Sequence, residues 1–165
     1  ELVGGDRLRL LAIDSPERGE PFYAAAKDYL AALVLDSTLD ITYSERRRDR
    51  YGRILAYIWL DTVMVNERML SAGLANLYIF EDNLGDRDQI ARLLAAQNRA
   101  LDAGAGIWSY PVAEEPFYLS AENSLRFHRP DCPAVARLDP ARAVRYRTRE
   151  EALRLGLAPC RDCRP

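Results

Sequence analysis

Leu8 and Leu10 alternate with Arg7, Arg9 and Leu11, a two-residue period that predicts a strand with one face in a core. This strand runs into an acidic turn at Asp14-Ser15-Pro16-Glu17. Pro16 has no amide proton for a ladder and keeps Ser15 out of helical geometry, so the strand stops there. Gly4-Gly5-Asp6 is a turn signal, which makes Glu1–Val3 the tail of a strand paired back onto Leu8–Ile13 in a hairpin. Phe22, Ala26, Tyr29, Leu30 and Leu33 recur at helical spacing and predict a helix over Phe22–Leu35. Leu39, Ile41 and Tyr43 alternate with polar residues as a strand, Glu45–Arg50 reads as a charged exposed loop, and Tyr51–Leu60 as a strong strand. A short strand at Val63–Val65 follows a turn at Asp61-Thr62. Asn66 is placed to cap a helix through Met69, Leu70 and Leu74 that closes near Gly73. Leu77–Phe80 is apolar and Asp82–Arg87 a loop. Gln89–Ala103 carries Ile90, Leu93, Leu94, Gln97 and Leu101 along one stripe, ended by Gly104 and Gly106, with Trp108 plugging the core.

Strands first, one helix among them and two helices after them suit a small barrel with packed helices better than a doubly wound sheet. Ser109–Pro116, with Pro111, Pro116 and two glutamates, reads as a linker. The expected division is residues 1–109, a linker over 110–117, and a small module over 118–165. At 165 residues the chain can bury one good core with a satellite domain beside it. Its longest apolar run, Ile54–Leu60, is far too short to span a bilayer. The chain starts at Glu1 rather than Met, so the natural start is expected to have been cut away, leaving secreted and cytoplasmic bacterial locations both open. Net charge is −2 but uneven: ten Arg face six acidic residues from Tyr118 onward, against thirteen Lys or Arg and seventeen Asp or Glu up to Tyr110. Any anion binding must therefore be local. Lys27 is the sole lysine, which points to a GC-rich bacterial genome as readily as to selection for phosphate binding.

Two stretches carry candidate chemistry in the first part. Arg9, Asp14 and Glu17 gather one guanidinium and two carboxylates at the mouth of a strand, although an ordinary strand exit looks similar. A fixed cation beside a metal-binding or proton-accepting carboxylate is what phosphodiester hydrolysis requires. Asp49-Arg50-Tyr51-Gly52-Arg53 puts a second arginine at the opening of a strand, and guanidinium forks suit paired phosphate oxygens. These segments, with Val65-Asn66-Glu67, Gly73-Leu74-Ala75 and Gly106-Ile107-Trp108, occur in the order found in the staphylococcal nuclease family, which the chain resembles over roughly residues 5 to 109. The resemblance implies an α+β chain built on a five-stranded OB-fold β-barrel with three helices, cleaving DNA and RNA with one calcium ion. It implies Asp14 and the Ser15 carbonyl as calcium ligands, Glu17 as general base, Arg9 and Arg53 as phosphate clamps, and Tyr51 and Tyr78 lining a nucleotide pocket. Ser15 stands where the family usually has Thr, and Phe80 where a second pocket tyrosine is common. Nothing before Arg9 matches the family's further calcium-ligating Asp, which lies in an Asp-Gly-Asp-Thr-like turn; Asp6 is at the wrong end of the strand, and counting back puts the missing Asp just before Glu1.

The sole histidine and all three cysteines form two close pairs, His128-x3-Cys132 and Cys160-x2-Cys163, the usual arrangement of a structural zinc site. A disulfide within one cysteine pair is the alternative, and leaves an odd thiol and an idle histidine. Phe127-His128-x3-Cys132 and Arg149-Glu150-Glu151-Ala152-x3-Gly156-x2-Pro159-Cys160-x2-Cys163 resemble a module often appended to bacterial nucleases. They are also similar to the zinc-binding domain of the Ada DNA-repair protein, which has Cys at all four ligand positions. Few large apolar side chains lie in this stretch, so it should depend on its metal to fold. The expectation is a monomeric calcium-dependent nuclease whose zinc module helps hold DNA or RNA. The alternatives are a non-catalytic nucleic-acid-binding protein with a degenerate nuclease domain, and an Ada-like alkyl acceptor.

Overall fold

A computed structural model of the chain describes residues 2–165. It is α+β and falls into two compact units that divide between Tyr110 and Pro111. The first unit contains β1 (Leu8–Leu10), β2 (Ile13–Asp14), α1 (Tyr23–Val34), β3 (Asp40–Arg48), β4 (Ile54–Leu60), β5 (Val63–Met64), α2 (Val65–Ser71), β6 (Asn76–Leu77) and α3 (Arg87–Asp102). Its sheet is built on β4, which pairs parallel with β1 and antiparallel with β3 and β5. The reason lies in composition: Ile54 to Ile58 are buried on both faces, as a central strand must be. On one face Ile54, Ala56 and Ile58 join Val65 in a core that Leu8, Leu10, Leu30, Leu33, Leu39 and Ile41 pack against.

Several expectations need correcting here. No closed barrel forms among the described residues, because β1 and β3 remain the two edges of the path β1–β4–β3. Leu2 and Val3, expected as the tail of a hairpin strand, instead belong to the turn itself, closed by hydrogen bonds from the Leu2 amide to Asp6 and from the Gly5 amide to Leu2; Glu1 lies outside the described residues. Glu45–Arg48 continue β3 rather than forming a loop, with a register shift between Tyr43 and Arg48. An edge strand exposed on both faces has no apolar alternation to reveal it. Asn66 is not a cap, since Met64 precedes the first helical residue. It is fully buried: its Oδ1 accepts from the Ile58 amide at 3.0 Å and its Nδ2 donates to the Leu11 carbonyl at 2.9 Å, tying β4 to the turn after β1. Trp108 sits half-buried in a short 3₁₀ turn, with its indole nitrogen buried.

The end of α2 meets the segment after α3 backbone to backbone. Gly73 (φ +64°) and Gly106 (φ +56°) touch so closely that a Cβ on either would lie 2.1 Å from a carbonyl oxygen of the other segment. The Ile107 amide donates to the Gly73 carbonyl at 2.8 Å. Gly73→Ala should therefore cost more than about 4 kcal/mol of stability, because main chain rather than a flexible side chain must move. Gly104→Ala, also at positive φ (+57°) but with nothing within 4 Å, should cost only about 1–2 kcal/mol. Urea melts of both variants check this; equal losses would show that the contact is loose.

The second unit contains β7 (Tyr118–Ala121), β8 (Arg126–Phe127), β9 (Ala143–Tyr146), α4 (Arg149–Arg154) and β10 (Ala158–Pro159). β7 pairs antiparallel with β9, β8 pairs parallel with β10, and reciprocal hydrogen bonds between Leu119 and His128 join the two ladders. Tyr118 meets Phe127 edge to face, and the Ser120 and Tyr146 hydroxyls share a buried hydrogen bond. The Thr148 hydroxyl caps α4 by accepting from the Glu151 amide. No helix of the described residues is long and apolar enough to cross a membrane.

Candidate functional site

Arg9 and Asp14 are five residues apart, which along an uninterrupted strand means about 17 Å and opposite faces. The chain instead turns at Leu11-Ala12, where the buried Ala12 takes a left-handed conformation (φ 57°) unusual for a residue with a side chain. The Tyr78 amide donates to the Ala12 carbonyl at 2.8 Å, and β2 then pairs antiparallel with β6, Asp14 opposite Asn76. The reversal brings the Arg9 guanidinium to 3.6 Å from the Asp14 carboxylate. Arg9 also lies over the Phe80 ring, 5.7 Å from its centroid, and Phe80 packs on Tyr78 at 5.0 Å.

Register settles where Arg53 stands. Arg9 is opposite Leu55 in the parallel β1–β4 pair, and Leu55 shares its face with Arg53, two residues earlier. Both arginines are thus on the side of the sheet away from the Ile54–Ala56–Ile58 core. Asp49 holds Arg53 from both ends: its carboxylate accepts from Arg53 Nε at 2.7 Å and from the Arg53 and Tyr51 amides, and its own amide donates to the Arg53 carbonyl. Burial raises the Asp49 carboxyl, but these hydrogen bonds outweigh it and leave the group below its usual range. Gly52 makes the tight return possible with φ +76°. Tyr51 is 60% exposed, with the guanidiniums of Arg50 and Arg53 against its ring at 4.9 and 5.5 Å.

Arg9, Asp14 and Tyr78 therefore meet in one cluster through Phe80, and Arg53 and Tyr51 in another on the same sheet. Ser15 and Glu17 lie in the exposed loop after Asp14, where the Glu17 amide donates to Glu20 Oε2 at 2.7 Å and the Glu20 amide returns to the Glu17 carbonyl. The Glu17 side chain makes none of the contacts described above. Asp49, which holds Arg53, has no role in the sequence reading, and Phe80, noted there only as replacing a tyrosine, packs between Arg9 and Tyr78. For Asp49 the signal was present, an Asp four residues before Arg53 in a Gly-containing turn.

Calcium takes six to eight oxygens. Asp14 and the Ser15 carbonyl offer two, Asp14 already leans on Arg9, and the described residues gather no group of three metal-ligating side chains there. The residues present do not complete a calcium shell.

The second unit holds a different donor set. One ligand atom from each of His128, Cys132, Cys160 and Cys163 lies within 4.8 Å of all the others. Pairing of Pro159 with Phe127 and a hydrogen bond from the Cys160 amide to the Phe127 carbonyl bring the two halves of the motif together. Cys132 Sγ is 3.4 Å from His128 Nδ1, close to the edge of a tetrahedron with ~2.3 Å sulfur and ~2.0 Å nitrogen bonds. All three thiols are free, so a disulfide is not formed. Burial lowers the His128 pKa and pushes the Cys163 thiol up to about 12, so without a cation these groups stay neutral. Three soft sulfurs and an imidazole in tetrahedral reach fit zinc.

The staphylococcal nuclease homologue family model matches residues 7–110. The chain belongs to that family. It is 31% identical over 108 residues to the thermonuclease of Staphylococcus hyicus, covering 62% of each chain. It is 36% identical over 104 residues to an uncharacterized endonuclease of Escherichia coli, covering 62% of this chain and 63% of that one. Protein ParB of E. coli is 30% identical over 129 residues, 73% of this chain and 70% of that one. The chain thus spans under two thirds of the length of the thermonuclease and the endonuclease. The staphylococcal nuclease homologue model stops at residue 110, so it says nothing of the unit that carries the His128 and cysteine cluster.

Proposed function

We propose that the first unit is an endonuclease of the staphylococcal nuclease type, hydrolysing phosphodiester bonds of DNA or RNA, and that the second holds one zinc ion and helps retain the nucleic acid. The observation that carries the first part is the folding back of the chain at Ala12, which sets Arg9 against Asp14 on the sheet face that also bears Arg53. In this reading Arg9 and Arg53 donate to the phosphate oxygens as negative charge builds on phosphorus. Asp49 keeps Arg53 from rotating away. Glu17 takes the proton of the attacking water. Tyr51 and Tyr78 hold the nucleotide by stacking or a phenol hydrogen bond. Asp14 and the Ser15 carbonyl are the positions for calcium, and because they fall short of its shell no step is assigned to that ion. His128, Cys132, Cys160 and Cys163 are the zinc ligands.

Cleavage of a labelled oligonucleotide with calcium present tests the enzyme reading, and Arg53→Lys refines it. A lysine keeps the charge but loses the fork, so kcat should fall by about 10²-fold with KM little changed. A raised KM with unaltered kcat would place Arg53 in ground-state binding instead. The second reading is a nucleic-acid-binding protein without catalysis. It is favoured by the absence, among the described residues, of a group of three or more metal-ligating side chains around Asp14, and binding without cleavage in the same assay would establish it.

A further inference from the structure

The arginines of the second unit are mostly committed. Arg129 pairs with Glu115, Arg142 with Glu122 and Arg154 with Glu150, and Arg149 donates to the Pro165 carbonyl. Arg145 differs. Its guanidinium carbon lies 4.0 Å from the centroid of the Phe117 ring. The register explains the pairing. Leu119 is opposite Arg145, so Phe117, two residues before Leu119, is the diagonal neighbour of Arg145 on one face of the β7–β9 ladder. The opposite face is the core side, with Tyr118 and Ser120 buried. Leu119 bridges to His128, so His128 shares the outer face with Leu119; Arg126, two residues before it, alternates to the same face with its guanidinium donating to the Leu125 carbonyl.

The result is a guanidinium propped over an aromatic ring on an exposed face of the ladder. A fixed guanidinium plane stacks on an unpaired base, while its edge donates to phosphate; a paired base inside a duplex presents no face to it. From this geometry we propose that Arg145, propped on Phe117, is a stacking platform for an unpaired base, which makes the second unit a single-strand binder. The inference rests on the reading that the chain acts on nucleic acid, and it narrows the form of that nucleic acid.

The experiment measures fluorescence anisotropy of a labelled dT12 strand with the full zinc-loaded chain in calcium-free buffer, where binding is read apart from cleavage. Arg145→Ala and Phe117→Ala should each weaken binding about tenfold. Arg145→Lys should keep the salt dependence but lose the preference for dT12 over an abasic strand of equal length. Unchanged zinc content and circular dichroism show that the variants are folded. Binding by Arg145→Ala within twofold of the unsubstituted chain would overturn the proposal. So would equal affinity of the unsubstituted chain for abasic and base-bearing strands, or for a duplex of the same sequence. A chain that cleaves with calcium but shows no Arg145-dependent binding keeps the nuclease reading and loses this one. A chain with Arg145-dependent binding and no cleavage does the reverse.

Discussion

Glu17→Gln is expected to lower turnover by about 10²- to 10⁴-fold while leaving the fold unchanged, since an amide cannot take a proton from water. The structural side is favourable for a clean test. The ties that hold the loop at Glu17 are its main-chain amide and carbonyl, both bonded to Glu20, and a change of Oε to Nε leaves these in place. Glu20 is the rival carboxylate in the same loop, but its Oε2 is committed to the Glu17 amide at 2.7 Å. Glu17 is exposed. Single-turnover cleavage with circular dichroism on the same samples gives the answer. Near-normal turnover in the variant would remove Glu17 from the role of base.

Removing the metal should unfold residues from about Tyr118 onward and leave the first unit folded. The second unit has little else to hold it. β8 and β10 are two residues each, and its large buried side chains are few, chiefly Tyr118, Phe127, Tyr146 and Leu153. A structural zinc site supplies an apparent binding free energy on the order of 10–16 kcal/mol at pH 7, larger than the whole stability of most small domains. The first unit shares none of those ligands and has its own core around β4. Hydrogen exchange read by mass spectrometry, before and after zinc removal verified by elemental analysis, checks this. Protection that persists beyond Tyr118 in the metal-free chain would sink the zinc assignment.

The parts of this fold that show in the sequence are those fixed by local pattern. Ile54–Leu60 is apolar enough to be central whatever surrounds it, and α3 declares itself by the stripe of Leu93, Gln97 and Leu101. The paired spacings of His128, Cys132, Cys160 and Cys163 identify a donor set because four rare residues converge. What stayed hidden depends on distant partners. Asn66 looks like a cap because cap preference is local, whereas its actual partners are Ile58 and the carbonyl of Leu11, far back in the chain. Arg9 and Asp14 are recognisable as a pair of charges, but their contact depends on a left-handed alanine that no propensity would suggest. Gly73 and Gly106 stand out as motif letters; that each exists to admit the other is visible only once the two backbones are side by side.

That glycine contact also bears on the order in which the first unit assembles. It joins segments separated by all of β6 and α3, so it closes a long loop and gains nothing until α3 is already formed. As main chain against main chain, it has no partly packed version in which a longer side chain reaches across early. Its formation is therefore expected late in folding, after α3. On a chain made from its N-terminus, that step waits until Ile107 is available to donate to Gly73.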